Sequence, residues 1–337
     1  MNPDHLVALI PSLAGCRVLV VGDVILDEYL IGWANRLSRE APIPVLDFER
    51  RDHIPGGAAN PSMNIAALGS RAIQVGVVGD DPDAAALRTI LQARGIDPSG
   101  LITDPSRPTT TKTRIMAHMG LRFPQQVARI DRLERRPVEG EIEQAILSCV
   151  QRLAQAVDVV MVSDYLTGLL TPSVVATIRK VSAECGILAT ADAQGQLDKY
   201  EGFDLVKCNA DEAARYVGQP LITDDDFAGA GLVLVKRLGL RGGTLLTRGS
   251  EGVTLVQHDG KITHIPAVHV EDVYDTVGAG DTALAVVTLA LAAGASYPDA
   301  ATLANLAAGI VVRKVGNYAP SPEELLVAVK EQARRDS

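Results

Sequence analysis

Hydrophobic and polar positions along this chain alternate between two rhythms. Short runs rich in β-branched residues, Val18–Val21, Ile73–Val78, Val157–Val162, Ile187–Thr190, Leu205–Lys207 and Thr244–Leu246, read as buried strands. Between them lie longer stretches with helical spacing and clear punctuation. Asp81 ahead of Pro82 predicts a capped helix start, and Gly95 after Arg94 predicts its end. Thr171-Pro172 opens another helix, which Gly186 closes just before a strand. Three further helices are expected at the end of the chain, over Ala279–Ala293, Pro298–Lys314 and Pro322–Arg334. Strand–helix alternation of this kind predicts an α/β fold, a mostly parallel sheet covered by helices on both faces.

Three stretches break the rhythm. Residues 27–53 and 108–131 carry Arg, Thr, Pro and alternating polar–apolar pairs with no helical period. They are expected to form antiparallel strands outside the main sheet, as a flap over a site. Val253–Gln257 and Lys261–Ile265 flank His258-Asp259-Gly260 and read as a hairpin with an Asp-Gly turn. The 337 residues leave room for two domains or one large one. With no repeat, no low-complexity segment and no long linker, the expectation is a single domain over 1–337 with lid segments at 27–53 and 108–131.

Composition narrows the function classes. Apolar residues make up 47% but aromatics only 4%, so Leu, Val, Ile and Ala must fill the core. A net charge of -9 gives no global attraction for nucleic acid or anionic lipid. Any anionic ligand then needs a local cationic pocket. Cys16, Cys149, Cys185 and Cys208 show no CxxC pair and no zinc spacing, and are expected as free thiols in a reducing compartment. The first fifteen residues carry an acid and lack the basic and apolar regions of a signal peptide. The longest apolar run, Ala283–Ala293, is about half a bilayer span. A soluble, cytoplasmic protein is expected.

Candidate chemistry concentrates in two places. Asp275-Thr276-Val277-Gly278-Ala279-Gly280-Asp281-Thr282 leads directly into an apolar helix. Glycines at a helix start let a ligand approach the backbone, and the free N–H groups there favour an anion. Asp281 is then either an acid that stabilises the helix start or a base that takes the proton of an attacking hydroxyl in phosphoryl transfer. No GxxxxGK(S/T) occurs, which excludes a P-loop enzyme, and Gly278-Ala279-Gly280 lacks the third glycine of a dinucleotide fingerprint. The second place is Gly22-Asp23, at the end of the first strand, with Gly56-Gly57-Ala58-Ala59-Asn60, which opens a helix running to Leu68. Asp23 can cap a turn and Asn60 can satisfy local backbone. Together with backbone amides they are also the groups that grip sugar hydroxyls.

The pairing of GD…GGAAN with DTVGAGD resembles the ribokinase-like (PfkB) carbohydrate and nucleoside kinases, from about Val18 to Leu326. Within them the chain is most similar to the D-glycero-β-D-manno-heptose-7-phosphate kinases. That likeness rests on Gly22 to Asp27, Arg36, Glu40 to Val45, Pro55 to Asn60, Met63 to Ala66, Thr111 to Arg114, Arg129 to Asp131 and Ser163-Asp164-Tyr165. The resemblance implies a three-layer α/β/α fold with a β-flap, and ATP-dependent phosphorylation of a sugar or sugar phosphate, with O1 of D-glycero-D-manno-heptose 7-phosphate as the acceptor. It implies Asp281 as the base and Gly278, Ala279 and Gly280 as the anion hole. Asn209 and Glu212 match an NxxE motif that helps hold hydrated Mg²⁺. Thr247, Gly249, Gly252 and Asn305 match the nucleotide site. Asp275, Val277, Gly316 and Ser321 look like a site for a monovalent cation such as K⁺. Asp23, Gly56, Gly57 and Asn60 match sugar contacts, and Arg36, Lys112, Arg114 and Arg129 are the flap's candidates for the sugar's phosphate. The flap is further expected to offer a homodimer surface.

The chain also departs from that pattern. Asp192-Ala193-Gln194-Gly195 stands where heptose kinases usually carry Asp-Pro-Lys-Gly, so a lysine is missing. Lys207-Cys208-Asn209 replaces Thr-Pro-Asn, and residues 118–124 lengthen the flap. No HxGH signature of a nucleotidyltransferase occurs, and no second domain of that kind is expected. The alternatives are another kinase of the family, acting on fructose, ribose, a keto-deoxy sugar acid or fructose 6-phosphate, and a non-catalytic sugar or nucleotide sensor.

Overall fold

The computed structural model describes residues 3–120, 124–268, 275–314 and 316–336. Helix α1 (Pro3–Leu9) leads into strand β1 (Arg17–Gly22), and the chain then leaves the sheet for the long hairpin β2 (Val24–Leu37) and β3 (Pro44–Gly57). It returns through α2 (Ala59–Ala67), β4 (Arg71–Val78), α3 (Pro82–Ala93) and β5 (Asp97–Thr103). A second hairpin follows, β6 (Thr111–His118) and β7 (Gln125–Arg132). The regular alternation resumes with α4 (Gly140–Ala154), β8 (Val159–Asp164), α5 (Pro172–Cys185), β9 (Leu188–Ala193), β10 (Leu205–Asn209), α6 (Ala210–Val217), α7 (Asp224–Arg237) and β11 (Gly243–Thr247). The hairpin β12 (Val253–Gln257) and β13 (Ile262–Ile265) precedes α8 (Ala279–Ala292), α9 (Tyr297–Val311) and α10 (Pro322–Asp336).

The main sheet has nine strands in the order β13-β12-β11-β10-β9-β8-β1-β4-β5. It is parallel from β11 to β5, and only the terminal hairpin runs antiparallel. Its central strands are apolar without alternation because both faces are covered. On β1, Val18 and Val20 point into a core shared with α2, α8 and α9, while Leu19 and Val21 point into one shared with α4, α5 and α7. That is the three-layer arrangement. Sequence punctuation sets the helix ends: Asp81 accepts from the Ala84 amide at 3.0 Å, and Gly186 closes α5 at φ +66°. Residues Asp281 to Leu291 of α8 are all buried, so the longest apolar run is a core helix. Among the described residues no helix is long and apolar enough to cross a membrane. All four cysteines are free.

The flap is a four-stranded sheet in the order β3-β2-β6-β7. Each hairpin is antiparallel, but β2 and β6 pair in parallel, with Asp27 opposite Lys112 and Tyr29 opposite Arg114. The expectation of antiparallel strands is corrected at this junction. Both hairpins leave the main sheet after parallel strands, β1 and β5, so their first strands start out in the same direction and join side by side. Residues 121–123 of the lengthened flap turn lie outside the described residues.

Candidate active site

The carboxyl ends of parallel strands and the starts of helices meet at one edge of the main sheet, the place where open α/β sheets bind ligands. A cavity of about 590 Å³ opens there, lined by Tyr165, Asp192, Gln194, Lys207, Asn209, Glu212, Thr247, Gly249, Gly278, Gly280 and Asp281 among others. Asp281 sits in the first turn of α8 with 7% of its surface exposed. Its Oδ2 accepts from Asn60 Nδ2 at 2.8 Å, and the Tyr165 phenol donates across both oxygens, at 2.8 and 3.0 Å. Burial pushes its pKa up to about 6. The Asn60 bond opposes that rise, the Asp192 charge adds to it, and Tyr165 and Lys207 oppose it further.

The glycines beside Asp281 hold the helix start open. Gly278 has φ +82°, and a Cβ there would lie 2.7 Å from Asn60 Nδ2. At Gly280 a Cβ would lie 3.1 Å from Lys207 Nζ. Ala279 is the first residue of α8, whose opening amides have no partner within the helix. Lys207 is buried beneath this start, its Nζ 2.6 Å from Asp192 Oδ2. Burial lowers its pKa, but Asp192, Asp281 and Glu212 outweigh that and hold it charged. The cation absent at Gln194 thus has a counterpart one strand away.

Asn209 and Glu212 form a reciprocal cap on α6: Asn209 Oδ1 accepts from the Glu212 amide at 2.9 Å, and Glu212 Oε2 from the Asn209 amide at 2.7 Å. Burial raises the Glu212 pKa, helped by the Asp192 charge. Thr247 and Gly249 line the same cavity, whereas Gly252, at φ +94°, lets the chain pass against the Ile265 carbonyl. Asn305, on α9, spends its amide on the Pro266 carbonyl at 2.8 Å. Asp275 accepts from the amides of Val277 at 2.9 Å and Gly316 at 3.0 Å, tying the glycine loop to the C-terminal segment. Ser321 exchanges bonds with Glu324 at the start of α10.

On the acceptor side the structure separates residues that the sequence grouped. Asp23 is buried and accepts from the amides of Tyr165, Thr167 and Leu169 at 2.9, 3.1 and 3.4 Å, so its carboxylate caps a loop and does not line the main cavity. Gly57 takes φ +55° where β3 runs into α2, and Gly56 sits where a Cβ would meet the Asp27 carboxylate. Asn60 reaches Asp281, and its Oδ1 is buried without a partner. Lys112 lies over the Tyr165 ring at 5.3 Å. Arg114 is paired with Asp27 at 2.5 Å, and Arg129 with Asp131 at 2.8 Å. Arg36 is exposed near the far end of β2.

Asp27 went unread as a site residue. It is buried, held by Arg114 and by Asn317 Nδ2 at 2.8 Å, on the flap face that carries Lys112. The available signal was its period-2 register with Tyr29 and Ile31, which puts it on the covered face of a strand. Lys207 also had a signal, a charge inside the apolar run Leu205-Val206-Lys207-Cys208.

The architecture is that of the ribokinase-like fold. The chain belongs to the pfkB family of carbohydrate kinases, whose profile matches residues 17–324. Curated relatives include the bifunctional protein HldE of Geobacter metallireducens, 38% identical over 97% of this chain, and that of Trichlorobacter lovleyi, 39% identical over 99%. The chain spans about two thirds of the length of these relatives, 65% and 67%. In fold it is similar to Arabidopsis thaliana ribokinase complexed with ribose and ATP, with a TM-score of 0.72 at 20% identity, covering 94% of this chain and 99% of that one. Escherichia coli phosphofructokinase-2 in complex with substrates and products gives a TM-score of 0.76 at 18% identity, covering 95% and 99%.

Proposed function

We propose that this carbohydrate kinase transfers the γ-phosphoryl group of ATP to O1 of D-glycero-D-manno-heptose 7-phosphate, and that Asp281 is the base. The observation that carries the reading is Asp281 itself: a buried carboxylate in the first turn of α8, beside two glycines and Lys207, facing the cavity. The acceptor hydroxyl gives its proton to Asp281 while its oxygen bonds to the γ-phosphorus and the bond to ADP breaks. Amides of Gly278, Ala279 and Gly280 and the Lys207 ammonium meet the charge on the transferring group. Four carboxylates, Asp192, Asp211, Glu212 and Asp281, line this pocket with Lys207 and Arg248, and of these residues and Asn209 it is Asn209 and Glu212 that would hold a hydrated Mg²⁺, through water. When bound, Mg²⁺ would offset phosphate charge. For K⁺, Ser321 is committed to α10, which leaves Asp275 and the carbonyls of Val277 and Gly316 as donors. Thr247 and Gly249 would lie along the nucleotide, with Asn305 bracing the segment after β13. The flap closes over the sugar as part of one domain, and its outer surface pairs two copies of the chain.

One observation favours a second acceptor class. Arg114 and Arg129 are each held by an aspartate and Arg36 is exposed near the far end of β2, so of these four candidates Lys112 is the one set over a residue that lines the cavity, Tyr165. A less charged sugar such as fructose or ribose would need no more than that. ADP release with Mg-ATP, measured over a panel of sugars and sugar phosphates, decides between them. The heptose 7-phosphate reading requires the highest kcat/KM for that substrate and falls if a neutral sugar exceeds it. Asp281→Asn should lower kcat by about three decades with ATP affinity kept. Unchanged turnover would remove Asp281 as the base.

A further inference from the structure

Tyr165 follows β8 in a loop that two buried aspartates hold in place. Asp23 accepts the Tyr165, Thr167 and Leu169 amides. Asp164 accepts from the Leu166 amide at 2.9 Å, from Lys199 Nζ at 2.8 Å and from the Tyr200 phenol at 2.6 Å. Burying two carboxylates to fix one short loop is costly unless the loop's placement matters. What the loop delivers to the cavity is the Tyr165 phenol, astride both oxygens of Asp281.

A phenol in this position can only donate. Burial, with the charges of Asp281 and Asp192, pushes its pKa well above the usual tyrosine range, so it keeps its proton throughout the working range of a kinase. Its single proton, shared between two carboxylate oxygens, leaves lone pairs on both for an incoming hydroxyl. The ring is fixed from the flap side by the Lys112 ammonium.

We propose that Tyr165 is a positioning residue for the base, its phenol holding the Asp281 carboxylate charged and turned toward the acceptor hydroxyl. The inference rests on the reading of Asp281 as the base. The groups that face Asp281 are Asn60 from α2, Tyr165 after β8, Asp192 at the end of β9 and Lys207 on β10. Asp192 and burial work against the charged carboxylate. Asn60, Tyr165 and Lys207 favour it, and Tyr165 is the one whose contribution a single oxygen atom supplies.

Tyr165→Phe tests this on the intact chain, because it removes the hydroxyl and keeps the ring under Lys112. The acid limb of kcat/KM against pH should move upward by about one pH unit, with KM for ATP and the melting temperature kept. An acid limb that stays where it is in the wild type overturns the inference. If the variant turns over too slowly for a profile, titration of the ¹³C-labelled Asp281 carboxyl in the free enzyme reads the same displacement, and an unmoved titration overturns it equally. Asp281→Asn is run alongside. Retained turnover there refutes the base itself, whereas lost turnover there with an unmoved limb in Tyr165→Phe refutes only the role of Tyr165.

Discussion

As the proposed base, Asp281 must be charged to accept a proton, yet it is buried where charge is costly. With its pKa pushed up to about 6, the folded chain keeps a proton that the unfolded chain has already released between about pH 4 and pH 6. A raised carboxyl pKa stabilises the folded state at low pH, and that contribution is lost as pH rises through 6. At pH 7.5 the charged form costs on the order of 3 kcal/mol. Asp281→Asn should therefore melt at a higher temperature than the wild type at pH 7.5, with the gain shrinking toward pH 4. A gain of equal size at both pH values would contradict the account. The same shift places the acid limb of wild-type kcat/KM near pH 6. The place of Asp281 in the first turn of a helix was legible in the sequence because glycines ahead of an apolar run mark a helix start. Lys207 and Asp27 were harder to read, since their meaning comes from what strand neighbours bring opposite them. Asp23 was read as a sugar contact, and the structure commits its carboxylate to three amides.

The start of α8 separates two glycines that look alike in sequence. Gly278 takes φ +82° ahead of the helix, and its missing Cβ is the space Asn60 uses to reach Asp281. Gly280 has helical backbone, and a Cβ there presses on the far end of the Lys207 side chain, with the Asp192 carboxylate at an ordinary 3.9 Å. Gly278→Ala should lower stability by about 1–3 kcal/mol through backbone strain and displace Asn60, so melting temperature and kcat fall together. Gly280→Ala should melt close to the wild type, because alanine is the better helix former and the lysine can move. Equal melting losses in the two variants would show that the helix start is not built as described. Elements such as β1 and β8 were readable because burial on both faces leaves an uninterrupted apolar run. The parallel junction of β2 and β6 was not, because it depends on where two distant hairpins leave the sheet.

At the scale of the whole molecule, the net charge of -9 coexists with a site for anions because few cations are needed there and Lys207 is held charged by its acidic neighbours. The flap poses a different problem. Seven of the eleven exposed large hydrophobic residues in the described structure lie within residues 24–57 and 111–132, Trp33, Leu37, Phe48 and Ile130 among them. The flap's outer strands, β3 and β7, are also open edges. Apolar side chains on a sheet with free edges invite a partner, and a second copy of the chain is the partner always present at equal concentration. A homodimer through the flap would cover them. Phe48→Asp combined with Ile130→Asp should then convert a dimer to a monomer in light scattering after gel filtration, with the circular dichroism spectrum unchanged. If the flap closes over the sugar as proposed, the monomer should show a higher KM for sugar and an unchanged KM for ATP. A wild-type chain that stays monomeric at micromolar concentration, or a charged variant that still dimerises, would place the partner surface elsewhere.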